Sequence, residues 1–238
     1  MYAVIFSSRI DIREDKDSNL KNLLDSFQNF TSEVEKAKSE FLIKFDDDDA
    51  FIPPPEFFNS YTFTIKRFTW GRHGGRSSLH EVERTLYNHV REDCQFVQII
   101  ADDFVFTRPN FVSEILSHRG RYGIIGEAGA ATSEGKCPEG SGGYAPCFST
   151  KIINAMGGMG PSCNADGLAY AILDVLKKEY NYSALIDFPL YYQRTDFSTT
   201  ENNKCPFNQA CKFNQQRSLK RLVKNIMNSI MVESNSSE

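Results

Sequence analysis

The sequence predicts an α/β domain: a mixed, mainly parallel central sheet covered by helices on both faces, with an amphipathic helix at the C-terminus. Three observations carry this prediction. Short β-compatible apolar runs alternate with amphipathic helical stretches, the pattern of strands joined by right-handed crossovers. One run, Phe96 to Ala101, is apolar except for Gln98, as a strand buried on both faces should be. And 238 residues, 40% of them hydrophobic, suffice for one substantial core.

Tyr2 to Ser7 reads as the first strand, ending at Ser7-Ser8-Arg9. Ser18 can then cap a helix carrying Leu20, Leu23, Leu24, Phe27 and Phe30 on one face. Phe41 to Phe45 reads as the second strand, closed by Asp46 to Asp49; Pro53-Pro54-Pro55 blocks its continuation and can open a short helix through Phe58. A third strand is expected over Tyr61 to Phe68. After the Gly- and Arg-rich stretch Trp70 to Arg76, Ser77 or Ser78 can cap a helix to about Glu92, with Glu81 placed for a capping box. Phe96 to Ala101 is the central strand, with Asp102 and Asp103 at its C-terminal end. Asn110 to Ser117 should be helical and Tyr122 to Gly126 a strand, while Gly129 to Gly143 is too rich in Gly, Ser and Thr for regular structure. Ser149 can cap a helix ending at Gly157-Gly158, Asn164 or Asp166 can open another running to about Tyr180, and Ala184 to Tyr192 reads as a last strand.

Residues 1–198 form the catalytic unit on this reading, and residues 199–238 an extension. In the extension Leu219, Leu222, Val223, Ile226, Met227 and Ile230 recur at helical spacing among Arg217, Lys220, Arg221 and Lys224. Such a basic amphipathic helix either packs on the domain or meets a membrane surface or a partner. The closing ESNSSE reads as disordered.

A net charge of -4, with 27 basic and 31 acidic residues spread along the chain, offers no field for nucleic acid. No apolar run approaches the roughly 18 residues of a membrane span, and the N-terminus lacks the basic region of a signal peptide, so a cytoplasmic location is expected. The six cysteines form no CxxC pair and read as free thiols; Cys205 and Cys211 could pair in an oxidising compartment.

Ligands of an open parallel sheet gather beyond the C-terminal strand ends. Ser7, Ser8 and Arg9 follow the first strand, Asp46 to Asp49 the second, and Asp102-Asp103 the fourth, so three distant segments converge on one edge. Adjacent carboxylates repel unless a cation relieves them, and their hard oxygens suit Mg²⁺ or Mn²⁺, which can neutralise a departing diphosphate. The same pair could also be an acidic loop in water. Asp46 and Asp48 are candidate acceptors for a base N–H or a ribose hydroxyl, in a run that could equally be a solvated turn. Arg72 and Arg76, among glycines, could grip phosphate or simply lie on the surface. Asp166 is a helix N-cap or a general base for an acceptor hydroxyl, with Glu127 and then Asp196 as further candidates.

The succession YAVIFSSR, EFLIKFDDDD, a basic loop and helix, VQIIADDF, GGYAPCFSTKIINAMGGM and NADGLAYAIL resembles GT-A glycosyltransferases, particularly the compact ones encoded by large DNA viruses of algae, over roughly residues 2 to 198. The resemblance implies the Rossmann-like GT-A fold and a nucleotide held by the first strand and the acidic turn after the second. It also implies a metal at the family's DxD motif. Here that motif reads Ala101-Asp102-Asp103, lacking the first acid; Asp103 matches the last one and is the stronger metal candidate, with Asp102 beside it. Where many members carry a C-terminal histidine ligand, YYQRTDF has Gln193 and Asp196, which implies weaker or water-completed metal binding. Asp166 falls where inverting members carry their base.

The function so implied is transfer of a sugar from a nucleoside diphosphate donor, UDP-linked by expectation, to a hydroxyl of a glycan or glycoprotein acceptor, in the cytoplasm of the cell or, for a viral chain, of its host. The rivals are an inactive sugar- or nucleotide-binding module and a sugar nucleotidyltransferase. The latter normally has a Gly-rich basic loop after its first strand, whereas SSRIDIRED contains no glycine.

Overall fold

The computed structural model describes residues 1–8, 18–49, 51–71, 79–126, 145–159, 165–194 and 212–236. Strands β1 (Tyr2–Ser7), β2 (Ser39–Asp46), β3 (Thr64–Trp70) and β4 (Phe96–Ile99) pair in parallel in the order β3-β2-β1-β4. A short ribbon strand β5 (Phe104–Phe106) follows β4; β6 (Ile124–Gly126), β7 (Cys147–Ser149) and β8 (Leu185–Asp187) then extend the sheet to β3-β2-β1-β4-β7-β6-β8. Among the described residues only β7 runs against its neighbours, so the seven-stranded sheet is mixed and mainly parallel. β9 (Tyr192–Arg194) pairs antiparallel with β5 in a separate two-stranded ribbon.

Side chains of the central strands alternate between two cores, as the two-residue period of a strand requires. Tyr2, Val4, Phe6, Phe41, Ile43 and Phe96 face helices α1 (Ser18–Phe30) and α4 (Phe111–Ser117). Ala3, Ile5, Leu42, Val97 and Ile99 face α3 (Leu79–Tyr87), α5 (Thr150–Met156), α6 (Ala165–Tyr180) and α7 (Lys212–Asn235). The tail helix α7 thus belongs to the second core: Val223, Ile226 and Met227 are buried where it packs on α5 and α6. Its far end is held by Glu233, which accepts from Tyr122 Oη at 3.1 Å and pairs with Lys151. Among the described residues no helix is long and apolar enough to cross a membrane.

Several element boundaries differ from the sequence reading. The third strand starts at Thr64 rather than Tyr61, because Tyr61 is used as an anchor, its hydroxyl donating to Asp25 at 3.0 Å. α3 stops at Tyr87 instead of Glu92: Asn88, His89 and Val90 are weak helix formers, and the Arg91 amide donates instead to the buried Glu40 carboxylate at 2.8 Å. The run Ala184 to Tyr192 splits at Pro189 into β8 and β9, which lie in different sheets. β7 is not foreseen at all, since three residues ending in a helix cap carry no periodic signal. That cap is as expected: the Ser149 hydroxyl accepts from the Ile152 amide, and Gly157 ends α5 at φ +84°.

A short helix α2 (Glu33–Ala37) is a further addition, opened by a capping box between Ser32 and Glu35. Glu35 is buried; one carboxylate oxygen accepts from the Ser32 amide and hydroxyl, each at 3.0 Å, and the other from the Ser113 amide of α4 at 2.9 Å. Burial alone would raise its pKa, but the hydrogen bonds from Ser32 and Ser113 outweigh it and hold the carboxyl below its ordinary value. A depressed native pKa gives stability that is complete above the unfolded-state value of about 4.3 and lost as pH falls through the native value. Glu35→Ala should therefore cost about 1–3 kcal/mol in urea unfolding at neutral pH. The deficit should narrow as the medium is acidified; a deficit independent of pH would rule out the charge as its cause.

Candidate functional site

The four parallel strands deliver their C-terminal ends to one edge, and there the polar segments meet. Ser8, just past β1, is fully buried: its amide donates to the Lys44 carbonyl at 2.9 Å and its hydroxyl to Asp102 Oδ2 at 2.8 Å. These two bonds tie β1, β2 and the turn after β4 together. Asp102 and Asp103 occupy that turn, both half-buried, and Oδ1 of Asp103 is shut away from solvent. The ribbon then fixes the far side of the turn, because Phe104, next to Asp103, is paired with Arg194.

Lys44 and Asp46 are two residues apart on β2 and so share a face. Both are buried, and the ammonium pairs with the Asp46 carboxylate while lying 5.6 Å from the centre of the Trp70 ring. Trp70 itself is the register partner of Asp46 across β2 and β3. Asp48 is exposed, and Asp49 Oδ2 accepts from the Asp46 amide at 3.3 Å, closing the turn. Among the described residues, Asp46, Asp48 and Asp49 are the group of three acids able to bring ligand oxygens within 4.8 Å of one another. Lys44 already places a positive charge against this cluster, so turn geometry and an internal cation account for its closeness without an ion.

Of the residues singled out in the sequence, the structure brings together Ser7, Ser8, Asp46, Asp48, Asp102 and Asp103 at one sheet edge. The Ser8 hydroxyl donates its proton to Asp102, which leaves its oxygen an acceptor only. Asp46 is buried and paired with Lys44 rather than standing in a solvated turn. Arg9, Arg72, Arg76, Glu127 and Asp196 lie outside the described residues, and Asp166 is placed only as backbone in the first turn of α6. Gln193, paired with Val105 on the ribbon, is exposed. Lys44 was not anticipated, though a lysine inside an otherwise apolar strand with an acid two residues on is a legible sign of a buried pair.

The Asp102-Asp103 turn offers two hard carboxylates on adjacent residues, one aimed by a buried hydroxyl, the type of donor that Mg²⁺ and Mn²⁺ take.

The sheet order with its single reversed strand and the acid turn between β4 and the ribbon define a GT-A-like α/β fold. The chain is similar to TarS of S. aureus. Against TarS 1-349 the TM-score is 0.54 at 13% identity, covering 82% of this chain and 60% of that one. Against the same protein in complex with UDP it is 0.53 at 11% identity (80% and 59% covered), and with UDP-GlcNAc 0.52 at 12% identity (80% and 57%). This chain therefore spans about 60% of the TarS 1-349 chain. No family model matches the sequence, and no curated protein does.

Proposed function

We propose that this protein is a metal-dependent glycosyltransferase that takes a sugar from a UDP-linked donor and passes it to a hydroxyl of a glycan or glycoprotein acceptor. The observation that carries the proposal is the Ser8–Asp102 hydrogen bond, which fixes an acidic pair at the mouth of a buried parallel strand, beside the buried Lys44–Asp46 pair. Two solved complexes of the fold, with UDP and UDP-GlcNAc, support a nucleotide-sugar as the ligand.

In this reading Asp103 and Asp102 hold Mn²⁺ or Mg²⁺, which when bound supplies Lewis-acid stabilisation of the leaving diphosphate. Ser8 keeps Asp102 in one orientation. Asp46, steadied by Lys44, and Asp48 accept from the nucleoside. Asp166, at the start of α6, takes the proton of the acceptor hydroxyl as it attacks the sugar carbon from the face opposite the diphosphate, giving inversion. The bond to the anomeric carbon forms as the bond to the diphosphate oxygen breaks.

Thermal unfolding with a panel of nucleotide sugars, each with and without Mn²⁺, tests the reading. A donor at about 100 times its dissociation constant adds about 2.7 kcal/mol, or roughly 5–10 °C in midpoint for a domain this size. A shift with UDP-linked sugars that requires the metal is expected, together with slow UDP release on incubation. Donor binding without any UDP release across a range of glycan acceptors would favour an inactive binding module, and no shift with any donor would retire the proposal.

A further inference from the structure

Gln98 is the one polar residue of β4, and it is fully buried. An apolar side chain would fill the same position at no desolvation cost, so the amide is tolerated because both its oxygen and its nitrogen are hydrogen-bonded. Its Oε1 accepts from Tyr2 Oη at 3.0 Å and from the Tyr191 hydroxyl, and its Nε2 donates to the carbonyl of Ala145. Burial holds the Tyr2 phenol well above its ordinary pKa, so it remains a protonated donor. The Ala145 peptide is gripped from its other end as well, its amide donating to Tyr192 Oη at 3.0 Å.

Tyr191 immediately precedes β9, Tyr192 is its first residue, and β9 pairs with β5. The Thr107 amide donates to the Tyr191 carbonyl at 2.9 Å, and the Tyr192 ring meets Phe104 edge-on at 5.6 Å. The 191–194 segment consequently clasps the chain on both sides of Asp102-Asp103: β4 through Gln98 before the turn, and β5 through the ribbon after it.

We propose that Gln98, with Tyr191 as its partner, is a positioning residue for the acidic pair: it fixes the ribbon against β4 and so sets where Asp102 and Asp103 stand for the metal and the diphosphate. The inference rests on the transferase reading for its ligand, but its mechanical part does not.

Two variants test it. Gln98→Met has similar length and breaks every amide contact; Tyr191→Phe removes one hydroxyl and keeps the stack on Phe111, whose ring centre is 4.9 Å away. Tyr87→Phe, which loses a surface hydroxyl bond to Asn154 at 2.7 Å, is the control. Titration of UDP in the presence of Mn²⁺, well below the unfolding temperature, should show about a tenfold weaker complex for Gln98→Met, several-fold weaker for Tyr191→Phe, and no change for Tyr87→Phe. Amide exchange needs no ligand: in Gln98→Met, residues 102–106 and 192–194 should exchange at least tenfold faster while α1 and α3 keep wild-type rates. Unchanged exchange at those two segments overturns the proposal whatever the protein binds. Faster exchange with wild-type UDP affinity also overturns it, leaving Gln98 as packing alone. If the wild type binds no UDP, the transferase reading fails, and the exchange result alone decides whether Gln98 holds the turn.

Discussion

Asp103→Asn is expected to lower the rate of UDP-sugar turnover about a thousandfold, some 4 kcal/mol of barrier at 1.36 kcal/mol per decade, while leaving the unfolding midpoint near the wild-type value. The substitution is nearly isosteric, so the volume of the turn between β4 and β5 is kept while the charge and one acceptor oxygen are lost. Asp102→Asn provides the contrast: an amide carbonyl can still accept from the Ser8 hydroxyl that now meets Asp102 at 2.8 Å, so aim is kept and charge removed. Ser8→Ala does the reverse, keeping charge and removing aim. Initial rates of UDP release, measured across a range of Mn²⁺ concentrations, separate the three. If metal binding at this turn governs the chemistry, both asparagine variants lose maximal rate and Ser8→Ala chiefly raises the Mn²⁺ requirement. Asp103→Asn retaining more than a tenth of wild-type turnover would remove the acidic pair from the reaction.

Much of this site was legible because strand ends announce themselves locally. Ser7-Ser8, the acidic run after Phe45 and the Asp pair after Ala101 each interrupt an apolar stretch, and the α/β alternation requires that such interruptions share an edge. What the sequence does not reveal is which of these groups face one another. Ser8 reads as a ligand contact, but its bond to Asp102 is invisible in the sequence, because hydrogen-bond partners 94 residues apart leave no periodic trace. Gln98 stands out in its strand as a polar exception, but its partners come from the N-terminus, from the approach to β7 and from the approach to β9. The ribbon and β7 escape for another reason: each strand has only three residues, and pairing rather than propensity makes them strands. The capping box before α2 was readable as Ser-x-x-Glu. Its second duty, holding the start of α4 through the Ser113 amide, was not.

Lys44→Met is expected to be the most destabilising single change at the site, about 3–5 kcal/mol and roughly 10 °C in midpoint, although methionine fills the same space and suits a strand interior. The reason lies in the partner. Asp46 is only 7% exposed, and removing the ammonium beside it forces the carboxylate either to stay charged in a poorly solvated place or to take up a proton. Asp46→Asn alone has the mirror problem, a buried ammonium deprived of its carboxylate. The double variant Lys44→Met/Asp46→Asn removes both charges and should recover most of the stability, because a buried ion pair often contributes little net stability compared with apolar groups of like volume. Calorimetric midpoints of the four proteins give the coupling directly. Recovery of the fold in the double variant without recovery of UDP affinity would mean that the pair is retained for the nucleoside rather than for stability. Lys44→Met as stable as the wild type would show that solvent reaches Asp46 after all, and with it the case for a steadied acceptor at the end of β2 would fall.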